Sequence, residues 1–299
     1  MSGADPAVTI IIPTCGRRDR ACSIQAAIAS ALGQEGVRAT VIVVLNGRTR
    51  DAEVERTLRG ERRIVLLDRE VASLAGALAA GRETVRTPWF SALDDDDLFL
   101  PGALRLRVDA LQRQPECAAV VTNGYQRDTS GDVIHMMSGH QVHADPVRAM
   151  LVRNWLLPGS WLCRADRVGV EVFSEMPDYL ECTYLALRLA TEHRIVWLDT
   201  PTVVYCVGSP GAASRSRAFV TGQVRGLRRI LELNLPGDVR RVLRARVAAA
   251  YHTAADRDRI AGNMRDAWRW HARSLLQPSG WRYAPFTRHL LRDSLRHHT

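Results

Sequence analysis

Short β-branched apolar runs alternate with helix-period segments from Val8 to Arg113, and few architectures accept that alternation. Val8 to Ile12 is a short β-branched run, apolar except for Thr9 and closed by Pro13, the pattern of a strand buried on both faces. A helix is expected over Ala21 to Leu32, a second strand over Ala39 to Leu45 ending in Asn46-Gly47, and a third over Arg63 to Leu67 after another helical stretch. Val71 to Arg86 has helical spacing and leads through Thr87-Pro88 into the apolar segment Trp89 to Leu93. Pro101 then opens a helix reaching Arg113. Strand and helix in this order predict an α/β fold: a mostly parallel sheet, helices on both faces, ligands outside the carboxyl ends of the strands. Thr14, Asn46 and the acidic run Asp94-Asp95-Asp96-Asp97 all fall at such ends.

Beyond Ala118 to Thr122 the pattern loosens. Gly, Pro, His and Trp punctuate Gly124 to Cys163, before a helix at Asp178 to Glu192 and strands at Ile195 to Leu198 and Val203 to Cys206. This middle part is expected to shape the substrate pocket. From Phe219 onward, helical patterns over Val220–Leu233, Val239–Ala255, Met264–Leu276 and Phe286–Leu295 are separated by Pro236-Gly237, Gly262-Asn263 and Pro278-Ser279-Gly280. The expected organisation is a catalytic domain over 1–214 and an arginine-rich α-helical region over 215–299.

Charge follows that division. Of the formal net charge of +9, the tail holds more than the whole: from Arg215 onward there are eighteen arginines against six acidic residues. Arginines interleaved with Trp268, Trp270, Trp281 and Tyr283 could lie on an anionic membrane surface, cap a helical bundle or form a homodimer interface. Nucleic acid is the less expected partner. No stretch approaches the roughly 20 apolar residues of a membrane span, and Met1 leads straight into a strand-like segment. A cytoplasmic protein is therefore expected, with peripheral contact at the inner membrane surface open to the tail. The six cysteines are scattered without a C-x-x-C pair, which argues against a disulfide framework or a structural zinc site.

Four adjacent carboxylates repel one another, and a folded chain tolerates them best when a cation neutralises part of the charge. Hard oxygen ligands favour Mg²⁺ or Mn²⁺. An isolated acidic run more often just faces water, but this one is pinned between Trp89–Leu93 and Leu98-Phe99-Leu100-Pro101, both of core character.

Thr9-Ile10-Ile11-Ile12-Pro13-Thr14, then Val41-Ile42-Val43-Val44-Leu45-Asn46-Gly47, then Leu93-Asp94-Asp95-Asp96-Asp97 with Pro101 resemble the successive motifs of family 2 glycosyltransferases with the GT-A fold. Downstream, Leu180-Glu181-Cys182, Leu187-Arg188-Leu189-Ala190 and Ile195-Val196-Trp197-Leu198 resemble that family's L-E-D helix, R-L-A turn and following strand. The resemblance implies an inverting, metal-dependent transferase moving a sugar from a nucleoside-diphosphate donor to a hydroxyl or amine acceptor. It implies that Asp96 ligates the ion directly, that Asp94 faces the ribose or a metal-bound water, and that Pro13, Thr14 and Asp95 line the nucleotide side, where Arg17 or Arg18 could add charge-assisted contacts to the diphosphate. Asn46 stands where the family usually has an aspartate facing the base. An amide can donate as well as accept, which leaves the base open: a UDP-sugar is the first expectation for the donor, with dTDP and GDP as alternatives.

The general base is usually the aspartate of the E-D pair, and here Cys182 replaces it. Glu181 is the first candidate and Asp178, about one helical turn earlier, the second. In Tyr205-Cys206-Val207-Gly208-Ser209 the arginine and histidine of related enzymes are absent, and His140 and His143 are weak substitutes as ligands. Trp155, Trp161 and Tyr179 could stack on a sugar, although core packing accounts for most such aromatics. Two other readings compete: a noncatalytic binder of nucleotide sugars or anionic polymers, and a sugar nucleotidyltransferase, which Pro13-Thr14-Cys15-Gly16 and the absence of lysine disfavour.

Overall fold

Ile10, Ile11 and Ile12 are all fully buried, because the strand that carries them is covered by helices on both faces. The computed structural model describes residues 4–208 and 217–296. Its strands are β1 (Ala7–Thr14), β2 (Arg38–Asn46), β3 (Ile64–Arg69), β4 (Trp89–Ala92), β5 (Leu98–Phe99), β6 (Ala119–Asp128), β7 (Gly131–Ile134), β8 (Trp161–Arg164) and β9 (Ile195–Cys206). The helices among them are α1 (Ala21–Leu32), α2 (Ala52–Gly60), α3 (Leu74–Thr84), α4 (Ala103–Arg113), α5 (His140–Ala144), α6 (Pro146–Val152), α7 (Glu171–Ser174) and α8 (Glu181–Glu192). After the undescribed residues come α9 (Arg217–Ile230), α10 (Gly237–Ile260), α11 (Met264–Leu275) and α12 (Thr287–Arg296).

One sheet runs in the order β3-β2-β1-β4-β8-β6-β9-β5, with β7 paired to β6. Pairing is parallel for β3/β2, β2/β1, β1/β4 and β6/β9, and antiparallel for β4/β8, β8/β6, β9/β5 and β6/β7. The sheet is therefore mixed, with β3, β2, β1 and β4 joined in parallel. Side chains alternate across a strand: Ile10 and Ile12 join Ile24 and Ile28 of α1 and Leu104 of α4 in one core, while Ile11 meets α3 on the other face.

That second face is packed to contact. A Cβ on Gly81 of α3 would lie 2.4 Å from Ile11 Cγ2, so α3 sits this close to β1 only because Gly81 has no side chain. Alanine would favour the helix by about 1 kcal/mol, but overpacking a core typically costs about 1–3 kcal/mol. Gly81→Ala is expected to lower stability by up to about 2 kcal/mol, read as a smaller denaturant midpoint with unchanged slope. A midpoint at or above that of the parent would mean that α3 can slide without cost.

Several elements differ from the expectations. The segments Ile195–Leu198 and Val203–Cys206 form one strand, β9, because Asp199 and Thr200 are absorbed as an irregularity where the β6 register jumps from Thr122↔Leu198 to Asn123↔Pro201. The strand foreseen to Thr122 continues to Asp128 and turns back as β7, and β8 lies inside the region read as irregular. Helix α8 begins at Glu181 rather than Asp178, because Tyr179 and Leu180 have φ of +64° and +63°. That left-handed pair cannot continue a helix.

The chain divides into two compact units, one of residues 1–176 and 185–210, the other of 177–184 and 211–299. The expected boundary at 214/215 lies outside the described residues, as does Ser209. In the second unit, α10 packs on both α9 and α11, with Val224, Ile230, Leu243, Val247, Tyr251 and Ala255 buried in its core. Among the described residues no helix is long and apolar enough to cross a membrane.

Candidate active site

Parallel pairing brings the carboxyl ends of β1, β2 and β4 to one edge. Thr14 stands opposite Leu45 on β2, and Ile11 opposite Ala92 on β4. The Leu93 amide still bonds to Ile11 carbonyl at 3.0 Å, so the chain leaving β4 runs beside the last residues of β1. Two more ties hold the loop. The Asp97 amide donates to Asp94 carbonyl at 3.1 Å, and Leu98-Phe99 then pair with Val204 and Val203 of β9. The acidic run is thus a fixed turn between two strands, not a solvated linker.

Each carboxylate has a different neighbourhood. Asp95 accepts a 2.6 Å hydrogen bond from Thr14 Oγ1, whose oxygen also accepts from the Gly16 amide at 3.1 Å. Burial raises the pKa of Asp95, and the Thr14 bond offsets part of that rise. Asp97 is fully buried; its Oδ1 accepts from the Cys206 amide at 2.9 Å, while its Oδ2 has no hydrogen-bond partner among the described residues. Burial, then the nearby Asp94, holds its pKa well above the usual carboxylate range. Asp94 and Asp96 are half-buried.

Arg20 supplies the counter-charge. From the end of a short 3₁₀ turn at Arg18–Arg20, its guanidinium forms an ion pair with Asp96 and lies 3.6 Å from Asp95. Burial works against its charge, but the carboxylates outweigh burial and its pKa is raised. Arg17, the arginine expected here, instead donates through Nε to Asp19 at 2.9 Å. Pro13 and Thr14 are buried at the end of β1.

Asn46, at the end of β2, is 5% exposed. Its Oδ1 accepts from the Ser73 amide at 3.1 Å, and Ser73 in turn caps α3 through the Gly76 amide. The oxygen that could have accepted from a base is therefore engaged in setting the start of α3. Beside it, Arg50 ties β2 to β3 by a forked pair with Asp68 at 3.0 and 2.6 Å and a 2.8 Å bond to Arg69 carbonyl. The Asp68 bonds raise its pKa, and the rim of the site is stiffened by a residue that spacing alone did not single out.

The aromatic candidates separate cleanly. Trp155 is fully buried and Trp161 is 3% exposed; Trp161 stacks on Phe173 at 6.0 Å, and Trp155 donates to Pro146 carbonyl at 2.8 Å. Both are core residues. Tyr179 packs edge-on against Phe219 at 5.4 Å in the second unit. His140 and His143 are exposed on α5.

Asp178 and Glu181 belong to the second unit. Glu181 opens α8, its Oε1 accepting from the Tyr179 amide at 2.9 Å. Its pKa is raised, first by burial. Asp178 is exposed. The two left-handed residues before Glu181 cost of order 1–3 kcal/mol each, a strain concentrated next to this carboxylate.

A divalent ion suits this loop in one mode. Among the described residues no group of three or more His, Cys, Asp or Glu side chains is arranged to enclose a metal. The donors present are all carboxylate oxygens, and the buried Asp97 Oδ2 lacks a partner. Mg²⁺ is commonly held by one or two carboxylates and completed by phosphate oxygens and water, and the residues after Leu93 fit that mode.

The sequence profile described as glycosyl transferase family 2 matches residues 9–162, more than half of the chain. The match takes in Thr14, Asn46 and the acidic loop and ends before Glu181. Among solved structures, residues 1–349 of S. aureus TarS are similar at 12% identity and a TM-score of 0.54, over 83% of this chain and 72% of that one. The same TarS fragment in complex with UDP-GlcNAc gives 12% and 0.56 over 83% and 73%. Its complex with UDP gives 13% and 0.51 over 86% and 74%. At such identities the likeness is one of fold. No curated protein matches the sequence.

Proposed function

The chain belongs to glycosyl transferase family 2, and on that premise we propose that it transfers a sugar, with inversion, from a nucleoside-diphosphate donor to a hydroxyl or amine acceptor. The observation that carries this reading is the joint end of β1 and β4, where Thr14 bonds Asp95 and Arg20 pairs with Asp96. Preorganised charge at one sheet edge is what a departing diphosphate needs.

Asp96 and Asp94 would hold a Mg²⁺ or Mn²⁺ ion together with the diphosphate oxygens. When bound, such an ion stabilises the negative charge that develops on the leaving group. Pro13, Thr14 and Asp95 line the nucleotide side, and Arg17 stands at its rim. Asn46 sets the floor through Ser73. The TarS complexes with UDP and UDP-GlcNAc make a UDP-sugar the first donor to test. Glu181 is assigned as the base that takes the proton from the attacking acceptor oxygen or nitrogen, with Asp178 as its alternate. The strained turn at Tyr179-Leu180 supports this choice, since backbone strain persists where surrounding structure has reason to hold it.

The test is thermal melting with UDP, dTDP and GDP, each with and without Mn²⁺. A ligand that binds only the folded state stabilises it by about 2.7 kcal/mol at a hundred times its dissociation constant. A clear rise in Tm is expected for UDP only when Mn²⁺ is present. Equal shifts with and without the metal would remove the cation from the proposal, and no shift with any of the three would remove the nucleotide donor.

A further inference from the structure

The helical unit holds a cleft of about 680 Å³ that none of the proposed transfer chemistry uses. Its floor is Tyr251 of α10, and its walls are one face of α9 and one face of α11. Arg225 and Arg228 project from the first wall, Arg269 and Arg273 from the second. The spacing within each pair, three and four residues, puts both members on one helix face. Arg228 lies over the Tyr251 ring at 5.7 Å and Arg273 over the Trp270 ring at 5.1 Å, and the two rings are 5.9 Å apart.

The charge in this cleft is unbalanced. Among the described residues Asp266 is the one carboxylate lining it, and none of the four arginines has an ion-pair partner there. Several arginines elsewhere are matched by carboxylates: Arg50 by Asp68, Arg188 by Glu175 and Glu192, Arg259 by Asp256 and Asp293. Four guanidinium groups facing one concavity repel one another unless an anion enters. Guanidinium forks match phosphate oxygens in pairs, and the volume is that of a small-molecule site. A bilayer surface would meet a flat array, whereas these cations line opposing walls.

We propose that this cleft is a binding site for a compact, multiply charged phosphate-bearing ligand, held by Arg225 and Arg228 on one side and Arg269 and Arg273 on the other, with Trp270 as an apolar contact. The assignment does not rest on the proposed transfer reaction.

Isothermal titration of the full chain with sodium tripolyphosphate, in EDTA so that no divalent ion recruits it to the carboxylates, tests the site. Arg228→Ala/Arg273→Ala is expected to weaken binding about a hundredfold, roughly tenfold for each lost charge-assisted contact. Arg225→Gln/Arg269→Gln, which alters only exposed side chains and leaves both ring contacts in place, is expected to do the same and guards against loss of fold in the first pair. The control Arg241→Ala/Arg244→Ala removes equal charge from exposed positions of α10 outside the cleft and should leave affinity within about twofold, since screened surface charge contributes little at physiological salt. Equal weakening in the control, undiminished binding in both cleft variants, or binding to vesicles of phosphatidylglycerol but not to tripolyphosphate would each overturn the proposal.

Discussion

Asp96→Asn is expected to lower turnover by about a thousandfold, the upper range for removing one preorganised electrostatic contact to a developing charge. The substitution keeps the shape of the side chain and removes its charge, so the fold should melt as before. Arg20 would lose its closest partner and retain Asp95 at 3.6 Å, and the loop would lose one of the two carboxylates proposed to hold the cation. Raising the Mn²⁺ concentration is therefore expected to recover little activity. The measurement is kcat against Mn²⁺ concentration for both proteins, with circular dichroism melts alongside. A variant that keeps full metal-dependent turnover would take the cation away from Asp96.

Glu181→Gln is expected to reduce kcat by about 10²–10⁴-fold, the usual contribution of a positioned general base, with donor binding retained. A pH profile gives the sharper reading. Burial raises the Glu181 pKa above its ordinary 4.5, and a base works only when ionised. Activity of the parent should fall as pH drops through that raised value, and the glutamine variant should lack this acidic limb. Stability has the opposite sense. Because the folded protein holds this proton more tightly than the unfolded chain, the stability that Glu181 contributes is full below the ordinary value and is lost as pH rises through the raised one. Full activity in Glu181→Gln with collapse in Asp178→Asn would transfer the role to Asp178.

The first half of the fold was legible because its signals are local. Val8–Ile12 and Val41–Leu45 are buried on both faces and are apolar except for Thr9, and α1 was foreseen over the residues it occupies. The errors arose where tertiary pairing overrode local pattern. Nothing in Asp199-Thr200-Pro201 reveals that β6 will carry β9 across the interruption. Tyr179 and Leu180 are poor left-handed residues by propensity, so the late start of α8 had no sequence signal.

In the site, the acidic run was legible and the division of labour within it was not. Four identical side chains differ by partners distant in sequence: Thr14 for Asp95, Arg20 for Asp96, the Cys206 amide for Asp97. Arg17, Arg18 and Arg20 are equivalent on paper. The 3₁₀ turn before α1 decides that Arg20 faces the carboxylates while Arg17 turns to Asp19. Asn46 was recognised as a position, but its bond to Ser73 depends on where α3 begins.

The bond from the Cys206 amide to Asp97 joins groups 109 residues apart, and it has a consequence for the order of events during synthesis. A growing chain possesses every carboxylate of the loop once it has emerged past β4, yet the turn that presents them is closed only when β9 adds its final residues beside β5. Contacts of such long span form late, because loop-closure entropy must be met first. On the proposed function, donor capture is therefore acquired only once β9 has closed this turn.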